Sequence, residues 1–238
     1  MLATILTIGN ELVSGDVENS NAAWLARRLE ARGVKVVLTA SVPDELDRIV
    51  GFVQREAPLV DRLIVTGGLG STPDDITREA LAAAFGVGQA VVPELEAELR
   101  ARFEGADVDG YFLRWAELPE GAAPLTNPLG GAPGFRIGNV WVLPGLPSEM
   151  EAMFDAAADG IAAGAPIGSW RRRIAGTTER RLNPLLEEAS ARWPAVLVGS
   201  YPSFPGGVPE VEVVLKSSDP DALAEAVAFL DSGLDALT

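Results

Sequence analysis

The chain contains no cysteine and no histidine in 238 residues. Without cysteine there is no disulfide, no thiolate metal site and no thiol nucleophile. Without histidine there is no Ser-His relay and no imidazole ligand for zinc. Any metal must then be held by oxygen, which favours hard cations of the Mg²⁺ or Mn²⁺ type. Lysine is nearly missing as well, with Lys35 and Lys216 the only two. No apolar run is both long enough and free enough of charge to span a bilayer. The opening residues, Met1-Leu2-Ala3-Thr4-Ile5-Leu6-Thr7-Ile8, carry no basic segment and no cleavage site. They read as a first strand, and a cytoplasmic location is expected.

What is abundant is negative charge. Thirty-four acidic residues against nineteen basic ones give a formal net charge of −15. Such a surface repels nucleic acid and anionic membranes within a Debye length, so neither is an expected partner. An acidic, lysine-poor surface reads either as simple solubility or as adaptation to a high-salt cytoplasm. The second reading predicts that the melting temperature rises between low and molar KCl as self-repulsion is screened. A flat or falling curve refutes it. The cluster Arg171-Arg172-Arg173 reads as one stretch of a solvated strand, or as a site for a polyanion.

Hydrophobic residues make up 47% of the chain, ample for a buried core, and the length permits one large or two smaller domains. Strand and helix patterns alternate at first. Strands are expected at 4–8, 34–40 and 61–66, with helices at 21–32, 44–56, 76–85 and 93–104. Gly33 ends the first helix. This order argues for a mostly parallel sheet covered on both faces. Residues 132–143 read as a hairpin turning at Gly138-Asn139, followed by a helix holding Glu149, Met150, Met153 and Phe154. The Ala/Gly-rich stretch 156–168 marks a boundary. Beyond it, strand 170–175, helix 179–192, strands 196–201 and 211–216, and helix 220–230 form a small α+β domain. The expected domains are 1–165 and 166–238.

The densest signal is Thr66-Gly67-Gly68-Leu69-Gly70-Ser71-Thr72-Pro73-Asp74-Asp75-Ile76-Thr77, between the apolar run Leu63-Ile64-Val65 and a helical pattern. A glycine-rich turn there brings backbone N–H groups to an anion such as phosphate. Asp74 and Asp75 would repel a phosphate unless a divalent cation joins them to it or one of them handles a proton. Capping explains the same carboxylates without a ligand: Thr72 at the N-cap, Pro73 at N1 and Asp75 at N3. Capping does not explain three glycines in four residues. A second constellation, Gly9-Asn10-Glu11 with Asp16, Asn19, Ser20 and Asn21, follows the first strand. It reads as contacts to a sugar or heterocycle, or as turns and an N-cap. A third, Leu143-Pro144-Gly145-Leu146-Pro147-Ser148-Glu149-Met150, again joins strand to helix. Asp44 follows the second strand. In open parallel sheets ligands bind beyond the strands' C-terminal ends, so four strand ends converge on one edge.

Together these segments, with Asn127-Pro128-Leu129-Gly130, Ala132-Pro133-Gly134-Phe135 and Gly199-Ser200-Tyr201-Pro202, resemble the N-terminal module of the CinA family, within the molybdopterin-binding MogA/MoaB-like superfamily. The resemblance spans nearly the whole chain. It implies a MogA-like three-layer α/β/α sandwich followed by a small α+β domain, and a homo-oligomer, dimer or trimer. It implies metal-dependent cleavage of ADP-ribose at its pyrophosphate, with adenylylation of molybdopterin and non-catalytic nucleotide sensing as alternatives. Asp75, Asp74 and Asp44 are the implied catalytic residues, and Asp74 and Asp75 the ligands of Mg²⁺, Mn²⁺ or Co²⁺. Glu11, Asn19, Asn21, Thr66, Gly67, Gly68, Gly70, Ser71, Gly130, Pro144, Gly145 and Ser148 would contact a nucleotide or a molybdopterin-like ligand. Two positions depart from the family: Asn10 stands for its common aspartate and Ser71 for its common proline. The family's C-terminal deamidase domain has no counterpart in this sequence, so nicotinamide-nucleotide deamidation is not expected.

Overall fold

The computed structural model describes residues 1–103, 110, 112–162 and 164–235. The chain divides into two compact units, Met1–Glu30 with Val34–Gly164, and Ala31–Gly33 with Ala165–Thr238. The first unit runs β1 (Leu2–Ile8), α1 (Asn10–Ser14), α2 (Ser20–Glu30), β2 (Lys35–Val42), α3 (Leu46–Glu56), β3 (Arg62–Thr66) and α4 (Thr77–Phe85). It continues with β4 (Gln89–Val91), α5 (Pro93–Arg102), β5 (Glu117–Pro119), β6 (Ala123–Leu125), β7 (Gly134–Ile137), β8 (Val140–Leu143) and α6 (Pro147–Ile161).

Six strands form one sheet in the order β2-β1-β3-β8-β7-β6. The first four are mutually parallel, and β7 and β6 add antiparallel. Period-two alternation sorts the strand side chains onto two faces. Ala3, Ile5, Ile64, Trp141 and Leu143 pack with Leu25 and Leu29 of α2 and Met150, Phe154 and Ile161 of α6. Leu6, Ile8, Leu63, Val65, Val140 and Val142 pack with Ile49 and Val53 of α3, Leu81 of α4 and Leu95 of α5. Burying each such side chain contributes roughly 1.5–3 kcal/mol, so both helical layers are fixed by the sheet's own sequence. The result is a three-layer sandwich whose parallel strands all deliver their C-terminal ends to one edge.

Several local expectations change. The stretch 156–161 belongs to α6 rather than to a boundary, because Ala158 and Ile161 are buried on its inner face. The helix expected to reach 104 is described only to Arg102, and residue 104 lies outside the described residues. The sequence patterns do not disclose α1, the β4–β5 ribbon or β6. Each is three to five residues long, too short for a periodicity. Pro124 sits inside β6, which an edge strand tolerates.

The second unit runs β9 (Gly168–Ala175), α7 (Glu179–Arg192), β10 (Leu197–Ser203), β11 (Glu210–Ser217) and α8 (Pro220–Asp235). Its sheet is antiparallel in the order β10-β11-β9. Leu182, Leu186 and Ala189 of α7 and Ala226, Leu230 and Leu234 of α8 close over Ile174, Val211, Val213 and Leu215. The arginine cluster lies on β9 and is internally paired. Arg172 donates to Asp231 and Asp235, while Arg171 and Arg173 lie beside Glu212. The solvated-strand reading accounts for all three arginines.

Candidate functional site

The loop from Thr66 to Thr77 leaves β3 and enters α4. Gly67 has φ +110, and a Cβ there would lie 2.2 Å from the carbonyl oxygen of Ile8. Only glycine lets this backbone pass so close to β1. At Gly70 a Cβ would lie 2.3 Å from the Asp75 carboxylate. The glycines therefore have a packing reason of their own, which the sequence does not reveal.

Asp75 sits inside the loop's curve. Its Oδ1 accepts the N–H of Gly70 at 2.9 Å, and its Oδ2 accepts the N–H of Thr72 at 2.9 Å and the Thr72 hydroxyl. The expected Thr72–Asp75 pairing is present, but in a turn outside the helix. Helix α4 begins only at Thr77, whose hydroxyl donates to the Gly67 carbonyl at 2.8 Å. Two arginines bind the loop's other side. Arg78 donates to the carbonyls of Leu69 (2.7 Å) and Gly70 (2.5 Å), and Arg114 to that of Ser71 (3.2 Å). Arg78 is buried, and that burial, with Arg114 close by, lowers its pKa to about 10. It stays cationic at neutral pH.

Neighbouring strand ends are tied to the loop. Thr66 donates its hydroxyl to the Pro144 carbonyl, and Gly67 N–H donates to Leu143 O at 3.2 Å. The Asn21 amide donates to Gly145 O at 2.8 Å and to the Thr66 hydroxyl at 3.3 Å. Its buried Oδ1 has no hydrogen-bond partner among the described residues. Asn19 is spent on structure. It donates to the hydroxyls of Thr7 and Ser41 and accepts the N–H of Ala22, the N-cap reading.

An acidic rim surrounds these ends. Asp44 accepts the N–H of Asn10 at 2.9 Å, and the Asn10 side chain accepts the N–H of Asp44 at 3.3 Å. Asn10 thus holds the Asp44 segment without adding a charge. The Asp44 carboxyl is raised above its ordinary value, by burial first, and also by Glu11, Asp74 and Asp75, against the lowering bond from Asn10. Glu11 and Asp74 are exposed.

Two pockets meet at Gly145. One, of about 100 Å³, is lined by Thr7, Glu11, Asn19, Asn21 and Thr66. The other, of about 300 Å³, is lined by Gly68, Gly70, Asp75, Trp115, Gly131 and Glu149. Four expected contacts lie elsewhere: Gly67 is buried against the Ile8 carbonyl, Gly130 accepts from Arg102, Ser148 is exposed, and Ser71 is buried. Neither pocket is lined by any of the four, nor by Asp44 or Asp74. The sequence patterns do not mark Arg78, Arg114 or Trp115 as site residues. They mark Glu149 only through its place in the Leu143–Met150 segment.

A divalent cation does not find a ready cage here. Among the described residues no group of three or more acidic side chains is placed to hold a metal. Both oxygens of Asp75 are already engaged by loop donors. Asp74 and Asp44 remain, and a hard cation held by one or two carboxylates completes its shell with water and a ligand's phosphates.

Residues 4–162 match the family described as "Probable molybdopterin binding domain", and residues 174–237 match "FAD synthase, middle domain". The chain is 45% identical over 167 residues to a CinA-like protein of Frankia casuarinae, covering 66% of this chain and 39% of that protein. It is 36% identical to a protein of Pyrobaculum aerophilum, covering 99% of this chain and 92% of the other. The chain thus spans about two fifths of the first relative and nearly all of the second. The crystal structure of the protein CinA, of unknown function, from Thermoplasma acidophilum superposes with TM-score 0.64 at 34% identity, over 67% of this chain and 97% of that one. No helix among the described residues is long and apolar enough to cross a membrane. By the match of its first unit and the likeness of its relatives, the chain belongs to the molybdopterin-binding-domain family, among its CinA-like members.

Proposed function

We propose that the first unit binds the phosphates of a nucleotide or pterin at the sheet's C-terminal edge and cleaves the pyrophosphate of an ADP-ribose-like ligand with a divalent cation. The observation that carries this reading is the pair of pockets that share Gly145, one lined by Glu11 and the other by Asp75 and Glu149. The loop's N–H groups at Gly68 and Leu69 have no acceptor among the described residues and suit a phosphate oxygen. The cation, when bound, offsets charge on the phosphates. Asp44 is the carboxylate suited to orient water. It is held on one oxygen by Asn10 and pushed toward a more basic value by its surroundings. Water's oxygen attacks one phosphorus, the bridging P–O bond breaks, and the water proton passes to Asp44 and on to solvent. The products are AMP and ribose 5-phosphate.

The test is purified protein with ADP-ribose and Mg²⁺, Mn²⁺ or Co²⁺, read by appearance of AMP. The expected activity disappears with a chelator, rises with pH through the raised Asp44 value, and falls at least about 100-fold in Asp44→Asn. The same variant is expected to melt higher at neutral pH. A raised folded-state value means the fold favours the protonated carboxyl. That contribution is present at low pH and is lost as pH climbs from the unfolded value through the folded one. An asparagine escapes the loss, so the melting temperature rises. Turnover that survives Asp44→Asn removes this residue from the reaction. ATP consumption only when molybdopterin is added places the chain with the adenylyl-transferring relatives. Binding of ADP-ribose without product under all three metals identifies a sensing module.

A further inference from the structure

The larger pocket has a wall that the phosphate reading does not use. Leu69, Leu146 and Ala132 supply apolar surface, and Trp115 and Glu149 line it as well. The Trp115 Nε1–H is buried without a hydrogen-bond partner among the described residues. Glu149 is half-buried in the first turn of α6. Its carboxylate lies against Gly131, where an added Cβ would come within 2.2 Å of Oε1, so glycine keeps that place open. Oε2 accepts the Asn127 amide at 2.9 Å. The orientation of Asn127 is fixed from its other end, since its Oδ1 accepts the N–H of Leu129 at 3.0 Å and its Nδ2 also donates to Ala132 O at 3.1 Å. Asn127 therefore presents only N–H to Glu149.

We infer that this pocket holds a flat, amino-bearing heterocycle, and that Glu149 reads the ring's exocyclic amino group through Oε1. This rests on the nucleotide-or-pterin reading above and deepens it. A volume of about 300 Å³ with apolar walls suits a single fused ring system. A carboxylate accepts and never donates, so it rewards an amino group and repels a ring carbonyl in the same place. Adenine and pterin rings both carry an exocyclic amino group; hypoxanthine carries a carbonyl at the position of adenine's. A site that leaves a buried polar group unpaired discriminates strongly against the wrong partner.

The orientation of Asn127 makes the test directional. In Glu149→Gln the glutamine carbonyl must face Asn127, so its NH₂ turns toward the pocket and now donates. Titration calorimetry with AMP and with IMP as probes is expected to show wild type preferring AMP by at least about tenfold. In Glu149→Gln the preference is expected to reverse. A change in packing alone weakens both probes together and reverses nothing. Wild type binding AMP and IMP equally overturns the assignment, as does an unchanged AMP preference in the variant. The wild-type comparison needs no variant, so it stands even if Glu149→Gln folds poorly. In either of those outcomes the phosphate-ligand reading survives. If wild type takes up neither probe nor ADP-ribose, that reading falls and this one with it.

Discussion

Replacing Asp75 with asparagine is expected to lower the melting temperature of the first unit by about 4–8 °C and to remove ADP-ribose turnover together with it. Three donors converge on this carboxylate, two backbone N–H groups and a hydroxyl. An asparagine offers one acceptor oxygen and a competing NH₂. One side of the loop is left facing a donor, at about 2 kcal/mol for bonds to a charged acceptor in a half-buried place. In a domain of this size that amounts to the stated drop. The outcome separates two roles for the residue. A brace gives loss of stability and loss of function in parallel, and both are read by calorimetry and product assay on the same sample. A metal ligand gives loss of turnover with an unchanged melting curve, and that result would move Asp75 back among the ligands.

A larger effect is expected at Gly67. Alanine there must adopt a φ of +110 and bring its Cβ to 2.2 Å from the Ile8 carbonyl. That contact is with backbone of the interior strand β1, which cannot rotate away. The cost is expected to exceed about 3 kcal/mol, from strain and from displacing a buried strand. Gly51 is the control. It lies inside α3, its φ is ordinary and a Cβ there meets nothing within 4 Å. Gly51→Ala should stabilise by about 0.5–1 kcal/mol through helix propensity. Chemical denaturation of the two variants measures both signs at once. Equal effects would mean that the loop relaxes in solution and that the close approach to β1 is not maintained.

How far the sequence discloses this protein depends on the range of the interaction concerned. The alternation of apolar runs with helical periods places β1, α2, β2, α3, β3 and α4, because each is long enough for its period to show. The turn at Gly138-Asn139 is equally plain, and β7 and β8 flank it. The convergence of Asn21, Thr66 and Gly145 follows from parallel topology, since each lies at a strand's C-terminal end or at a helix start. The commitments of individual side chains are hidden. Asp75 satisfies a capping pattern and a metal-ligand pattern with the same letters, and only the positions of the Gly70 and Thr72 amides show how its oxygens are used. Arg78 stands beside Glu79 in a helical stretch and reads as a solvated residue. It is buried because it reaches from the first turn of α4 back into the preceding loop, to the carbonyls of Leu69 and Gly70. Arg114 and Glu149 reach their partners across 43 and 22 residues, beyond any local pattern.

The double grip on the glycine loop bears on the energetics of recognition. With Asp75 engaging amides on one side and two guanidinium groups engaging carbonyls on the other, the loop holds its curvature by its own bonds. Glycine-rich segments otherwise forfeit the most backbone freedom when a partner orders them. Here that entropy is surrendered during folding, before any ligand arrives. Association then draws on a preorganised surface, and more of each new contact appears as affinity. The loop's tolerance for ligands of a different shape is correspondingly narrow.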